Sequence, residues 1–171
     1  MFCALNSEEI GSRTTDGADS TYVEDVLTRI AEGLHRNVRE MLSQSFLVSA
    51  DNAHAVHPNH PEYADQNNCP RMNGGVVIKF NANQRYATDG RSCAVFRAVC
   101  ADAGVPVQVM ANRSDLPGGS TLGSIAGTLV PVSTVDIGLA QLAMHSSWET
   151  MGAQDCAYLA AAAARIFETE L

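Results

Sequence analysis

The chain has 171 residues, 46% of them hydrophobic and 18% charged, and its 19 acidic against 11 basic side chains leave a net charge of −8. That length suits one domain with a sizeable core, and the acidic balance, without a basic block to neutralise phosphates, argues against nucleic acid or an anionic membrane as partner. No apolar stretch reaches membrane-spanning length, no export leader is visible, and five cysteines without Cys-x-x-Cys spacing point to reduced thiols in a cytoplasmic protein.

Met1-Phe2-Cys3-Ala4-Leu5 is an apolar run that stops abruptly at polar residues, and it is expected to form a buried strand that delivers its C-terminal end to a loop. In open α/β sheets ligands bind at such ends, which gives weight to the next stretch, Ser7-Glu8-Glu9-Ile10-Gly11-Ser12. Adjacent carboxylates repel, and both stay ionised only beside something positive. A metal ion would serve, with one Glu binding it and the neighbour taking a proton from water. The residues alone leave open a second reading, a solvated acid pair at a helix N-terminus.

Asp19-Ser20-Thr21 is expected to cap a helix over 22–41, because Val23, Val26, Leu27, Ile30, Ala31, Leu34 and Val38 keep the spacing of a one-sided helix. Residues 45–50, around Phe46-Leu47-Val48, read as a second strand ending on Asp51. Pro58 and Pro61 keep 52–61 from being helical throughout, so His54, His57 and His60 fall on a loop. A third strand over 75–80 carries Lys79, and its polar continuation ends at Tyr86. A helix over 90–103 stops at Gly104. A fourth strand follows over 105–110, then a Gly-rich loop over 116–123 and a short helix over 124–129. That loop lacks the Gly-Lys-Ser/Thr ending of a phosphate cradle. Residues 133–138 are a fifth strand whose exit, 139–144, leads to His145. Asp155 is expected to cap a last helix over 156–168, with Tyr158, Leu159, Ala162, Ile166 and Phe167 on its core face. Strands alternating with helices at these spacings predict an α/β sandwich.

Three predicted strand ends therefore carry Glu8 with Glu9, Asp51, and His145, the residue types that zinc or cobalt takes. Singly, an Asp at a loop start caps a turn and a His after a strand is a surface or core residue. Together, with one Glu spare as base, they set a hydrolytic metal site beside that structural reading.

Five ordered blocks carry a closer likeness: Ser7-Glu8-Glu9-Ile10-Gly11-Ser12; Ser49-Ala50-Asp51-Asn52-Ala53-His54-Ala55-Val56-His57-Pro58-Asn59; Ile78-Lys79-Phe80-Asn81-Ala82-Asn83-Gln84-Arg85-Tyr86-Ala87-Thr88; Arg113-Ser114-Asp115 with Gly119-Ser120-Thr121-Leu122-Gly123; and Ala143-Met144-His145-Ser146. In this order they resemble the aspartyl aminopeptidase family, metallopeptidase family eighteen, over nearly the whole chain. The resemblance implies a mixed-sheet α/β/α sandwich of the zinc aminopeptidase type, here incomplete at the N-terminal side, and removal of N-terminal residues, acidic ones among them, from peptides. It implies that Glu8 is the general base, that Glu9 and His145 are ligands of one zinc and Asp51 of a second, and that Glu8, His54, Lys79 and Tyr86 contact the peptide substrate. Cobalt or manganese could replace zinc, and the intact family forms homo-oligomers. Without the family, Lys79 reads as an exposed strand residue, and His57 before Pro58 as a residue that shapes its loop.

By the same resemblance, 1–171 correspond to the C-terminal part of a catalytic domain, without the segment that supplies a His ligand and a bridging Asp and without an inserted dimerisation domain. The chain alone is then expected to turn over little or no substrate. The alternatives are a non-catalytic remnant or assembly subunit that binds full-length relatives, and a different di-metal hydrolase of the same sheet architecture.

Overall fold

Along β5 (Ser133–Gly138) Val135 and Ile137 alternate with Thr134, Asp136 and Gly138, so the strand buries an apolar set on one face and a polar set on the other. It lies inside a four-stranded sheet, between β1 (Phe46–Ala50) and β3 (Val76–Phe80), with β4 (Val107–Ala111) beyond β3. β1 runs parallel to β5, and β3 parallel to β4, but β3 is antiparallel to β5, so the sheet is mixed. The computed structural model describes residues 1–116 and 118–170; Pro117, in the Gly-rich loop, and Leu171, at the end of the expected domain, lie outside the described residues.

One face of the sheet holds the main core. Val76 and Ile78 of β3 join Val135 and Ile137 of β5 against Phe96 and Cys100 of α3 (Gly90–Asp102) and Ala162 of α5 (Ala153–Glu168). The opposite face carries a smaller cluster, in which Val77 meets Tyr86, Met110, Ala53 and Ala140, and α4 (Leu122–Ala126) packs there against β1 and β5. The expected mixed-sheet α/β sandwich is the architecture found. A small second sheet, β2 (Ala53–His54), β6 (Ala140–Leu142) and β7 (Thr150–Met151), continues beyond the ends of β1 and β5. Among the described residues no helix is long and apolar enough to cross a membrane, and all five cysteines are free thiols.

Four local expectations are corrected. Residues 1–5 join no strand: Phe2 is 81% exposed, and the chain next to it is tied back through Asn6, whose N–H donates to Asp16 O at 3.2 Å. An apolar run becomes a strand only where a sheet edge receives it, and that partner is a non-local condition the run cannot report. The helix over 22–41 is two helices. α1 (Tyr22–Gly33) stops at a weak helix former, the chain turns through His35 at φ 54, and α2 (Val38–Ser43) restarts with the Asn37 side chain accepting from Arg39 and Glu40 N–H. Of the expected capping stretch Asp19-Ser20-Thr21, Thr21 stands at the start of α1 but its side chain makes no cap, and the Tyr22 N–H is received instead by Ser20 Oγ at 3.3 Å. Finally, Asp155 does not cap α5, which begins earlier after Gly152. Its buried carboxylate instead accepts from Asn73 N–H at 2.6 Å and Gly75 N–H at 2.9 Å, strapping the helix to the approach to β3.

Candidate active site

The ends of β1 and β5 meet so closely that a Cβ on Gly138 would lie 1.9 Å from Asp51 O, and Asp51 N–H donates to Ile137 O at 3.0 Å. A side chain at 138 would push Asp51 out; glycine lets it sit at the rim of a cleft of about 310 Å³ lined by Glu8, Glu9, Asp51, Asn52, Leu122 and Leu139. Glu8 and Glu9 reach this cleft from a single 3-10 turn (Glu8–Ile10) rather than from a strand end. Ser7 at φ 62 and Gly11 at φ 98 bracket the turn, and Ser12 N–H closes it on Ser7 O at 2.8 Å. The pair's position is therefore set by left-handed backbone at Ser7, Gly11 and Ser12, a costly geometry for the two serines.

His145 arrives from the other direction, just past β6. Its backbone is also left-handed, at φ 66, its N–H donates to Glu149 Oε1 at 2.6 Å, and its Nε2 lies 2.9 Å from Glu9 Oε2. Half-buried Glu8 next to it has its carboxyl raised above its ordinary range, first by partial burial and then by the Asp51 and Glu9 charges, with Lys79 and His145 opposing. The charges of Asp51, Glu9, Lys79 and His145 thus all bear on Glu8.

Lys79 is not the exposed strand residue that periodicity alone suggests. Its side chain is 2% exposed, and its Nζ donates to Asn52 O at 2.8 Å and to Asp51 Oδ2 at 3.3 Å, 5.3 Å from the centre of the Tyr86 ring. Burial pulls the ammonium below its ordinary pKa while Asp51 holds it up. Tyr86 is buried as well, which raises its phenol. His54 keeps a solvent-facing surface, yet its imidazole is crowded enough that desolvation, with Lys79 and His145 adding repulsion, lowers its pKa. It lines a second cavity, of about 330 Å³, together with His57, His60, Tyr63, Asn68 and Arg113. His57 holds its own loop: its Nδ1 accepts from Asn59 N–H at 3.2 Å and it bridges to His60.

Among the described residues no three His, Cys, Asp or Glu side chains gather around one point that could hold an ion. Present instead are an oxygen–nitrogen donor pair, Glu9 with His145, and one carboxylate, Asp51, paired with Lys79. Mixed carboxylate and imidazole donors suit zinc, and a catalytic zinc takes three protein ligands. The residues here thus fit part of such a site, two donors for one ion and one for another.

Two polar residues at the site have no counterpart in the reading of the sequence. Asn52 supplies the carbonyl that receives Lys79, and its side chain donates to Gln141 Oε1 at 2.8 Å. Asp136 is fully buried beneath Lys79 and Tyr86, flanked along β5 by Val135 and Ile137. A lone acid inside an apolar strand is the signal, since a buried charge without partners is strongly unfavourable.

Acids and an imidazole thus converge beside the strand ends of a mixed-sheet α/β sandwich. The family model described as Aminopeptidase I zinc metalloprotease (M18) matches residues 1–167, and the chain belongs to that family. The probable M18 family aminopeptidase 2 of Clostridium novyi is 47% identical over 92% of this chain and 37% of its own length. The counterpart in Mycobacterium tuberculosis H37Rv is 46% identical over 100% of the chain and 40% of its length. Among solved structures, one in a cryo-EM structure of an Ape4 and Nbr1 complex is 40% identical with a TM-score of 0.89, covering 94% of this chain and 31% of that one. The chain therefore spans about two fifths of the length of the curated relatives it matches.

Proposed function

We propose that this chain is the C-terminal part of the catalytic unit of a zinc aminopeptidase that removes N-terminal residues, acidic ones among them, from peptides. The observation that carries the reading is the meeting of the Glu9 carboxylate and the His145 imidazole at 2.9 Å, with Glu9 sharing one cleft with Glu8 and Asp51.

Glu9 and His145 would hold one zinc and Asp51 the second, with the remaining ligands coming from outside this set. Zinc bound there supplies Lewis acidity that lowers the pKa of water and polarises a peptide carbonyl. Glu8 takes up the proton of the attacking water and returns it to the leaving amine. Lys79 has two of its three N–H donors committed, to Asp51 and to the Asn52 carbonyl, so at most one is left for an oxygen of the substrate. His54 and Tyr86 would contact the peptide substrate, as the family resemblance implies. The homo-oligomeric state belongs to the same proposal, since a solved relative at 27% identity and TM-score 0.82, covering 95% of this chain and 36% of that one, is a dodecamer.

The test is release of chromophore from an Asp-linked substrate, by the zinc-supplied chain alone and mixed with the N-terminal segment of a full-length relative. Release in the mixture and little from the chain alone is the expected result. No release in either condition overturns the catalytic reading for this polypeptide.

A further inference from the structure

Asp136 is 0% exposed, and its neighbours along β5, Val135 and Ile137, face α3 and α5, so its own side chain stands on the opposite face, toward α4. Ile78 pairs with Ile137 in the antiparallel register of β3 and β5, and one residue further along the same register Lys79 falls beside Asp136. The carboxylate has two partners from two different segments. Oδ2 accepts from Ala87 N–H at 2.5 Å, and Oδ1 from the Thr121 hydroxyl at 2.8 Å, at the entrance to α4. The strand holds the first segment a second time, because Asp136 N–H donates to Thr88 Oγ1 at 2.8 Å. Ala87 and Thr88 directly follow Tyr86, and Thr121 directly precedes Leu122, which lines the cleft. α4 presses its backbone onto the same group: a Cβ at Gly123 would lie 2.5 Å from Asp136 Oδ1.

We propose that Asp136 is a positioning residue, which clamps residues 86–88 and 121–122 to β5 so that the Tyr86 ring stays against the Lys79 ammonium and Leu122 stays at the wall of the cleft. A buried acid that merely satisfied its own charge needs no such pair of partners from the two segments that border the site. Each of its charge-assisted bonds is directional and stronger than its neutral counterpart, so together they fix backbone that has no regular secondary structure between β3 and α3. What Tyr86 and Lys79 do with substrate rests on the function proposed above; how they are held does not.

The experiment labels the chain with 3-fluorotyrosine and follows its four tyrosines by fluorine NMR, with the Tyr86 resonance assigned by its loss in Tyr86→Phe. Asp136→Asn removes the charge at constant shape, and Gly123→Ala displaces the carboxylate from the α4 side without altering it. Both are expected to shift and broaden the Tyr86 resonance while that of Tyr158, on α5 across the sheet, stays in place. Movement of all four resonances together, or an unmoved Tyr86 in folded variants, overturns the proposal. If Asp136→Asn does not fold, Gly123→Ala and Thr121→Val decide by the same signal. In the zinc-supplied mixture the loss is expected mainly in KM, roughly tenfold, with kcat changed less. Absence of hydrolysis in the unsubstituted protein counts against the proposed function, and the resonances still decide the role of Asp136.

Discussion

Glu9 and His145 are brought within 2.9 Å of each other although both side chains are about two-thirds exposed, at 69% and 67%. An exposed ion pair contributes at most about 1 kcal/mol. His145 meanwhile adopts a left-handed backbone at φ 66, which costs of order 1–3 kcal/mol for a residue other than glycine. The contact is thus worth no more than the backbone geometry costs, and the pair does not account for its own geometry as a stabilising contact.

Replacing either member should accordingly leave folding nearly unchanged and remove zinc binding. Glu9→Ala and His145→Ala are each expected to shift unfolding free energy by less than about 1 kcal/mol, while zinc affinity, read by chelator competition, falls by roughly tenfold or more. A stability loss of several kcal/mol with zinc binding intact would mark the pair as structural.

Lys79 is predicted to behave in the opposite way, because its ammonium is buried and shared between Asp51 and the Asn52 carbonyl. Lys79→Met leaves both acceptors without their donor, at a cost of about 2–4 kcal/mol in urea unfolding. Asp51 retains some solvent, at 29% side-chain exposure, so Asp51→Asn in the same chain should recover part of the loss. Equal stability of Lys79→Met and the unsubstituted chain contradicts the prediction.

The contrast between these pairs also shows what the sequence discloses. β3 and β5 are legible because they are short segments rich in β-branched residues and bounded by turn residues, and Glu8, Glu9, Asp51 and His145 stand out because acids and an imidazole follow or flank predicted strands in ordered blocks. The break between α1 and α2 is signalled by Gly33 and Asn37, but the apolar spacing runs across it and conceals it. The run at 1–5 has strand composition and no strand to pair with. The burial of Lys79, a residue singled out only through the family resemblance, and of Asp136, which has no counterpart in the reading of the sequence, is a different matter. Their burial depends on β3 lying antiparallel to β5, a register decided by residues distant in the chain; a lone acid between Val135 and Ile137 hints at it for Asp136, while nothing local reports it for Lys79.

Asp155 should be among the most sensitive positions outside the site. Asp155→Ala deprives the Asn73 and Gly75 N–H groups of their acceptor in a buried setting and is expected to destabilise by about 2–4 kcal/mol. Asp155→Asn, which keeps one acceptor oxygen, should fall between. Hydrogen exchange at Gly75 is the direct readout: its amide should exchange markedly faster in the Ala variant, and unchanged exchange would refute the strap.

Thiol reactivity should divide by burial. Cys100 lies wholly inside the main core, and burial pushes its thiol up to about 11, so very little thiolate exists near pH 8. Cys3 and Cys156 are exposed. Iodoacetamide applied to the folded chain should label those two rapidly and Cys100 only after unfolding, as read by mass spectrometry of peptides. Early labelling of Cys100 would mean that α3 detaches from the sheet on the timescale of the reaction.

The acid limb of stability should carry a contribution from the start of α3. Asp89 accepts from Ser92 N–H at 2.7 Å, and Ser92 Oγ in turn receives Asp89 N–H at 3.0 Å, forming a capping box. The Ser92 N–H bond holds the Asp89 carboxyl below its ordinary range. A folded-state pKa depressed below the unfolded one means that the contribution is complete above the unfolded value and disappears as pH falls through the folded one. Urea midpoints measured from about pH 6 down to about pH 2 should therefore decline less steeply in Asp89→Asn than in the unsubstituted chain. Asn is itself a good cap, so the two chains should differ little near neutral pH, while Asp89→Ala should lose about 1 kcal/mol across the whole range above the transition. Parallel acid limbs for the unsubstituted and Asn chains would show that the carboxylate's charge contributes nothing to the cap.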